Sequence, residues 1–514
     1  MIEIDFQDNR LCLILDPKHQ YYNRVKIVIR SLLTAFEYQE DKWHINYEDL
    51  LFLRKKLDSL GLVDNRTITR DAYEFSNYMQ ELYTKNNQIK KGQENENIRK
   101  LLDGKMKSTL YTDQLAAVAF LVNNWRCGLF DVMGLGKTVE ALAAVVALGL
   151  QKTLVICPLT VVPGFTREVE KHTYLKPLVI PQGRKTSVNF LQAHKNEDWQ
   201  ILLTHPENLI GTKTDFAGNL TKALKQIQWD MFLIDEAHYY KNVDAKRTQC
   251  VASLLSEVRT PEGQPSRAVF MTGTPVSENP TSAYVALRLL GRDFVCHPTK
   301  FENYFCVKVP RRIYRTIGGK RTSRTVGQKI AGYKNLDELK VLVENISIRR
   351  TKDDVTGFPE QTSIVRDIFL KGRQLKLYRA ICGDIAQEIS KSSFINLMRL
   401  LENARVLRLR QLMNHPSLLE EVGESAKYEE LDGLLEEILS DPEAKVVLWT
   451  EWRQSVHLLY DRYNKTYGCA KVYGGVNNEE LVEIQKKFEN NIKPRIIIAI
   501  PAKAGTGLDF LARA

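Results

Sequence analysis

The sequence predicts an α/β protein with two doubly wound parallel sheets, a small α+β module in front of them and a helical insertion between them. Short β-rich runs such as "TLVICP", "QILLTH", "MFLIDE" and "AVFMTG" alternate with amphipathic stretches between Leu110 and about Leu290. Such alternation of strand and helix is typical of parallel sheets. A second set begins near Lys445 with "AKVVLWTEW" and continues to "PRIIIAIPA", after a mostly helical pattern over residues 371–440.

The chain has 514 residues, which is too long for a single hydrophobic core, so we expect several domains. The α+β module is predicted from the strand-like runs "IEIDF" and "LCLIL" and from the helical patterns after them. The predicted boundaries are 1–84 for this module, 85–107 for a polar linker or exposed helix, 108–295 for the first sheet, 296–440 for a basic segment with the helical insertion, and 441–514 for the second sheet.

Composition and charge set limits on the class of protein. Hydrophobic residues make up 44% and charged residues 26%, as in an ordinary globular protein. We expect no membrane span and no signal peptide, since no apolar run is long enough and the first residues are polar. The eight cysteines are scattered without a CxxC pair, which predicts neither a zinc site nor a disulfide framework and favours a cytoplasmic location. A net charge of +11 suits a polyanionic partner, although many basic proteins bind no nucleic acid.

The segment "LFDVMGLGKTVEAL" runs from an apolar strand through a glycine-containing loop into a helix. Backbone N–H groups of such a loop can surround phosphates, and a helix N-terminus favours negative charge. We therefore predict a nucleotide site, with Lys137 on the β- and γ-phosphates and Thr138 on Mg²⁺. Asp131 stands where the GxxxxGK[ST] pattern has its first glycine, so a structural glycine-rich turn remains an alternative. The predicted phosphate-binding residues are Met133, Gly134, Leu135, Gly136, Lys137 and Thr138.

The segment "WDMFLIDEAH" places two carboxylates, Asp235 and Glu236, just past another apolar strand. The carboxyl ends of parallel strands line the crevice where ligands bind. We predict that Asp235 holds Mg²⁺ and that Glu236 orients and deprotonates the attacking water. A DEAH sequence alone is more often a solvated strand end, but its position after the GKT segment predicts an enzyme that hydrolyses a nucleoside triphosphate.

Two weaker signals accompany these motifs. In "VFMTGTP", Thr272 and Thr274 are candidates for hydrogen bonds that link the nucleotide site to a second site, or they mark a plain exit from a strand. In "LYTDQL", the amide of Gln114 can match both a donor and an acceptor on adenine. A single Gln does not indicate an adenine site unless the other motifs are present.

The segments "YTDQLAAVAFL", "DVMGLGKT", "TLVICPLTVVPGFTREVEK", "LIDEAH", "MTGTP", "IRRTKDDV", "FPEQ", "LRQLMNHPSLL", "KVVLWTEW" and "AGTGLD" follow one another along residues 110–514. In this order they resemble the Swi/Snf-like ATPases, the double-stranded-DNA translocase branch of the superfamily 2 helicases. The earlier stretch "WHINYEDLLFLRKKL" loosely resembles the HARP-type module of annealing helicases, which recognises DNA structure.

The resemblance implies a motor of two RecA-like lobes, with ATP and Mg²⁺ in the cleft and duplex DNA across both lobes. Carried over by motif, Gln114 contacts the adenine, and Lys137, Asp235 and Glu236 form the hydrolytic centre. The residues assigned to DNA by the same comparison are Pro158, Thr160 and Thr204, and Thr272 is a further candidate for DNA binding. Gly505 and Gly507 belong to the motif of the second lobe that meets DNA and nucleotide, and they are the nucleotide-binding candidates of that lobe.

The stretch 307–334, "VKVPRRIYRTIGGKRTSRTVGQKIAGYK", carries nine Lys or Arg and no acidic residue. A run of this kind is usually a solvated face, but its place between the two lobes favours a contact with DNA phosphates. Contacts to the backbone position a protein without reading sequence, so we expect a preference for DNA structure. The candidate residues are Arg311, Arg312, Arg321 and Arg324.

The hypothesis that fits these patterns best is a monomeric, ATP-driven motor on double-stranded or branched DNA, acting in branch migration, fork regression or unwinding. A phage or bacterial origin is compatible with it. Two alternatives stay open: a translocase that displaces proteins from duplex DNA, and an ATP-dependent switch that grips DNA without stepping.

The last segment, "AGTGLDFLARA", resembles the fifth helicase motif, which lies in the middle of the second lobe. We therefore expect the sequence to stop inside that lobe, before the family's paired arginines that contact the γ-phosphate. Arg513 is not expected to replace them. If the terminus is native, another group must do so, or the protein is a slow ATPase nearer to the switch.

Overall fold

The computed structural model describes residues 2–7, 10–15, 38–39, 42–45, 66–68, 70–211, 219–274, 280–290, 298–317, 320–355, 363–391, 404–419, 421, 423–476, 478–490 and 493–501. The chain divides into two compact units, residues 1–358 and 359–514. Within the ranges given, none of the helices is both long enough and apolar enough to cross a membrane.

The first unit begins with a five-stranded sheet of order β3-β4-β2-β1-β5. The strands β1 and β2 form an antiparallel hairpin whose register runs from Ile2 opposite Leu15 to Gln7 opposite Arg10. They contain the two strand-like runs of the sequence, and helix α1 (Arg70–Lys90) follows the sheet. The strands are β1 (Ile2–Gln7), β2 (Arg10–Leu15), β3 (Tyr38–Gln39), β4 (Lys42–Ile45) and β5 (Arg66–Ile68).

A seven-stranded sheet of order β14-β6-β11-β10-β7-β9-β8 forms the centre of the first unit, and every pairing in it is parallel. Its strands are β6 (Arg126–Leu129), β7 (Thr153–Ile156), β8 (Pro177–Val179), β9 (Ile201–Thr204), β10 (Met231–Ile234), β11 (Arg267–Met271) and β14 (Ser347–Ile348). The helices of this unit are α2 (Asn95–Leu102), α3 (Thr112–Asn123), α4 (Lys137–Ala147), α5 (Val162–His172), α6 (Arg184–His194), α7 (Pro206–Leu209), α8 (Asn219–Leu224), α9 (Lys246–Glu257), α10 (Thr281–Leu289), α11 (Pro298–Phe305) and α12 (Leu336–Ile346).

The seven-stranded sheet is buried on both faces. In β10, Phe232 and Ile234 belong to one core cluster, while Met231 and Leu233 belong to another. Residues of α9 and α10 complete the first cluster, and residues of α3, α4 and α5 complete the second. Burial on both faces explains why these strands read as continuous apolar runs instead of alternating patterns. The predicted doubly wound α/β class is thereby confirmed.

The sequence does not predict the edge strand β14. It consists of Ser347 and Ile348, pairs with β6 and joins the sheet from far downstream in the chain. Two residues carry no periodicity, so the sequence pattern gives no sign of this strand.

The basic stretch forms an antiparallel hairpin of two long strands, β12 (Cys306–Ile317) and β13 (Lys320–Tyr333). The register runs from Cys306 opposite Tyr333 to Ile317 opposite Lys320, with two irregularities along it. The sequence predicts the charge of this segment but not its pairing.

The second unit contains a parallel sheet of three strands in the order β15-β17-β16, flanked by helices. Alternate residues of β17 separate into two clusters, with Ile496 and Ile498 in one and Ile497 and Ala499 in the other. A second parallel α/β sheet is therefore present, as predicted. The elements are α13 (Gly372–Lys391), α14 (Ala404–Asn414), α15 (Ala426–Ile438), β15 (Val446–Trp449), α16 (Arg453–Tyr467), β16 (Cys469–Val472), α17 (Asn478–Asn490) and β17 (Ile496–Ala499).

Gln374, a buried residue of α13, joins three helices of the second unit. Its Nε2 donates to the carbonyl oxygen of Leu412 at 2.7 Å, and its Oε1 accepts from the backbone N–H of Ala426 at 3.0 Å. Gln374→Ala is expected to lower the free energy of unfolding by about 2 kcal/mol, because both backbone groups lose their partner in a buried place. Lys376 on the same helix is exposed, so Lys376→Ala is the control. Urea titrations should show that its free energy of unfolding equals that of the wild type. Equal urea midpoints for Gln374→Ala and Lys376→Ala would rule out this role of Gln374.

Candidate functional site

The loop between β6 and α4 depends on two glycines in a backbone conformation that L-residues rarely adopt. Gly134 has φ of 90° and Gly136 has φ of 91°. A Cβ atom added to Gly136 would also lie 2.4 Å from Nε2 of Gln114. A substitution at Gly136 would thus meet both strain and a clash. The loop can place its backbone close to a ligand because these positions carry no side chain.

The predicted phosphate-binding residues lie around this loop. The Lys137 ammonium donates to the carbonyl oxygens of Asp131 at 2.9 Å and Val132 at 3.3 Å. Nε2 of Gln114 donates to the carbonyl oxygen of Leu135 at 3.2 Å. The structure therefore brings Gln114 and Lys137 together at one loop, although 23 positions separate them in the sequence. Met133 is exposed, Thr138 is half-buried and Leu135 is buried.

The two adjacent carboxylates follow β10 directly. Oδ1 of Asp235 accepts from the backbone N–H of Glu236 at 2.9 Å. Glu236 itself has φ of 48° and ψ of 49°, the left-handed region that is rare for a residue with a side chain. Such strain occurs preferentially where function constrains the backbone. Burial, and then the charge of Asp235, raise the pKa of the buried Cys157 thiol well above its usual value, so this thiol adds no negative charge beside the carboxylates.

A chain of polar contacts leads from Glu236 to the next strand of the sheet. Oε2 of Glu236 lies 3.1 Å from Nδ1 of His238, and the same nitrogen lies 3.3 Å from Oγ1 of Thr272. Oγ1 of Thr272 also accepts from the backbone N–H of Thr274 at 3.1 Å. The pattern "TGTP" predicts a link of this type, whereas the sequence gives no sign that His238 forms part of it.

These groups share one edge of the sheet. The strands β6, β11 and β10 are parallel neighbours, and the loop, Thr272 and Asp235 follow their carboxyl ends. A Cβ atom placed on Gly273 would lie 3.5 Å from the backbone nitrogen of Met133, which shows how closely the two segments approach. Backbone amides, an ammonium, a hydroxyl and two carboxylates at one edge suit the phosphates of a nucleotide with a divalent cation.

A family model matches the part of the chain that carries these motifs. The model for the SNF2-related domain matches residues 73–418. The chain belongs to the SNF2-related family. This assignment confirms the resemblance to Swi/Snf-like ATPases, while the finer HARP-type likeness stays a prediction.

Curated relatives of this SNF2-related chain include proteins that act on DNA or chromatin by name. The human DNA annealing helicase and endonuclease ZRANB3 is 23% identical over 425 residues, which cover 82% of this chain and 36% of that protein. The CHD3-type chromatin-remodeling factor CHR7 of Arabidopsis thaliana is 22% identical, covering 78% and 32%. The chain thus spans about a third of the length of these relatives.

A solved structure described as the Sulfolobus solfataricus SWI2/SNF2 ATPase core in complex with dsDNA is also similar. Its sequence is 22% identical, and the TM-score is 0.40 over 77% of this chain and 79% of that chain.

The residues of the SNF2-related domain that the sequence assigns to DNA differ in how far they are buried. Pro158 and Thr160 are half-buried in the loop between β7 and α5. Thr204 and Thr272 are buried, and the hydroxyl of Thr204 has no hydrogen-bond partner within the described part of the chain. These two threonines therefore do not present their side chains at the surface.

Other predicted positions of the SNF2-related chain are placed only in part. Arg311 and Arg312 lie in β12, and Arg321 and Arg324 lie in β13, where the backbone alone is described. Gly505 and Gly507 lie outside the described residues. The roles of all six in binding stay predictions.

Proposed function

We propose that this chain is a DNA-dependent ATPase that moves on double-stranded or branched DNA. The observation that carries the proposal is the polar site at one edge of the seven-stranded sheet, where the glycine loop, the two carboxylates and the Thr272 link meet in a member of the SNF2-related family. The charge of the chain, +11, suits a polyanionic partner.

The roles proposed for the nucleotide site follow from the chemistry of each group. The amide of Gln114 reads adenine, and the loop amides and Lys137 hold the phosphates of ATP. Thr138 and Asp235 are the proposed ligands of Mg²⁺, which neutralises charge on the phosphates when bound. Glu236 orients water and accepts its proton.

The proposed interface with DNA combines the basic hairpin with the loop between β7 and α5. Two-stranded ribbons are narrow enough to enter the major groove of B-form DNA. The register places Arg312 opposite Thr325, Ile313 opposite Arg324 and Thr316 opposite Arg321. Basic residues stand on both strands, and the stretch 307–334 carries nine Lys or Arg and no acidic residue. That charge suits contacts with DNA phosphates.

The finer activity that we propose is remodelling of branched DNA by branch migration, fork regression or unwinding. It is supported by the similarity to the relative named as an annealing helicase. The relatives named for chromatin remodelling support the second candidate, a translocase that displaces proteins from duplex DNA. A switch that grips DNA without stepping is the third.

Assays of ATP turnover and of strand displacement separate these activities. We expect duplex DNA to stimulate ATP hydrolysis, because motors of this kind couple turnover to movement, and we expect labelled strands to be released from forks and four-way junctions. Plain duplex is the matched control and should release no strand. Displacement of a bound protein from duplex, without any remodelling of junctions, would favour the translocase instead. Binding without stimulated turnover would favour the switch.

A further inference from the structure

Arg350, two residues past the edge strand β14, continues the pairing of that strand into the glycine loop. The backbone N–H of Phe130 donates to the carbonyl oxygen of Ile348 at 2.8 Å, and that of Val132 donates to the carbonyl oxygen of Arg350 at 3.0 Å. The backbone N–H of Arg350 donates to Oδ1 of Asp131 at 2.7 Å. The first half of the loop is thus held by backbone bonds from a distant part of the chain.

The side chain of Arg350 contacts three separate segments. Its Nε donates to Oδ2 of Asp131 at 3.0 Å, and its Nη2 donates to the same oxygen. Nη2 also donates to Oε1 of Glu140 at 2.5 Å. Nη1 donates to the carbonyl oxygen of Asp113. Both carboxylates are completely buried, and the Arg350 side chain is only 12% exposed.

Each of these partners lies beside a group of the proposed nucleotide site. Asp131 lies at the start of the loop, and its carbonyl oxygen accepts a hydrogen bond from the Lys137 ammonium. Glu140 lies in the first turn of α4, three residues after Lys137. Asp113 immediately precedes Gln114. One planar guanidinium with fixed donor directions therefore spans both ends of the loop and the start of α3.

We propose that Arg350 is a positioning residue of the nucleotide site, which holds the loop in the shape that accepts a triphosphate by bridging Asp131 and Glu140. The proposal rests on the proposed ATPase function, since it assumes that this loop binds ATP. A lysine cannot replace the bridge, because one ammonium cannot reach Asp131, Glu140 and the Asp113 carbonyl in the same geometry.

Arg350→Lys tests the bridge while keeping the charge. We expect the affinity for ATP, measured by titration of a non-hydrolysable ATP analogue, to fall about tenfold, as for the loss of a charge-assisted hydrogen bond. KM for ATP should rise by a similar factor, whereas kcat at saturating ATP should change less. The neighbouring Arg349 is exposed, so Arg349→Lys is the matched control and should bind as the wild type does.

A second pair of variants covers the case in which Arg350→Lys does not fold. Glu140→Ala removes one anchor of the bridge and should weaken ATP binding, and Glu140→Gln, which keeps an acceptor oxygen, should restore most of it. Wild-type affinity in folded Arg350→Lys or in Glu140→Ala would overturn the proposal, as would a Glu140→Gln variant as weak as Glu140→Ala. Wild-type protein that binds the analogue but never hydrolyses ATP with DNA would refute the ATPase function alone, and the titrations would still decide the role of Arg350.

Discussion

Glu236→Gln is expected to stop ATP turnover while ATP binding continues. A positioned general base contributes about 10²–10⁴-fold to a rate, and an amide cannot accept the proton of the attacking water. Gln has the same shape and keeps a polar atom near His238, which lies 3.1 Å from the carboxylate in the wild type. Turnover should be measured as phosphate release with saturating DNA, and binding by titration of an ATP analogue.

Two companion variants define what this result means. Lys137→Ala should also abolish turnover and, unlike Glu236→Gln, should weaken binding, because Lys137 is the proposed contact to the β- and γ-phosphates. Glu262→Gln changes an exposed carboxylate in a turn away from the site and should leave both quantities unchanged. Wild-type turnover in Glu236→Gln would show that another group is the base.

Neutralising the basic hairpin is expected to produce the second large effect. Replacing Arg311, Arg312, Arg321 and Arg324 by Gln should weaken binding to duplex DNA strongly at low salt. Each phosphate contact contributes ~0.9 to the slope of log affinity against log salt, so the slope should fall by about 3 to 4 if all four contact phosphates. Fluorescence anisotropy with labelled duplex over a salt series gives both values.

The control for this experiment removes the same charge elsewhere. Lys91, Lys100, Lys105 and Lys195 are exposed residues of the first unit outside the hairpin. Their replacement by Gln lowers the net charge equally but should change the slope little, because long-range fields are screened within about 10 Å at 0.1 M salt. Equal slopes for the hairpin variant and the wild type would mean that the hairpin does not touch DNA.

The sequence predicts those parts of the structure that rest on local patterns. Buried parallel strands such as "MFLI" read as apolar runs, and the loop with Lys137 is defined by neighbours in the chain. Contacts between distant segments leave no such pattern. The two residues of β14 have no period, and nothing about Arg350 indicates that it meets Asp131, because each residue alone is an ordinary charged position. His238 likewise belongs to the DEAH segment, and nothing in that pattern indicates its contact with Thr272.

Strand β14 is synthesised after all the other strands of its sheet, and this order affects how the nascent chain folds. Until the ribosome has released residue 350, strand β6 is an open sheet edge, and unpaired edges are prone to join other chains. Asp131 and Glu140 also lack the guanidinium that makes their burial tolerable. The seven-stranded sheet is therefore incomplete until β14, its last strand in the sequence, has been synthesised. A nascent chain halted between α10 and β14 would leave the edge of β6 unpaired, whereas a chain that extends past residue 350 could pair it.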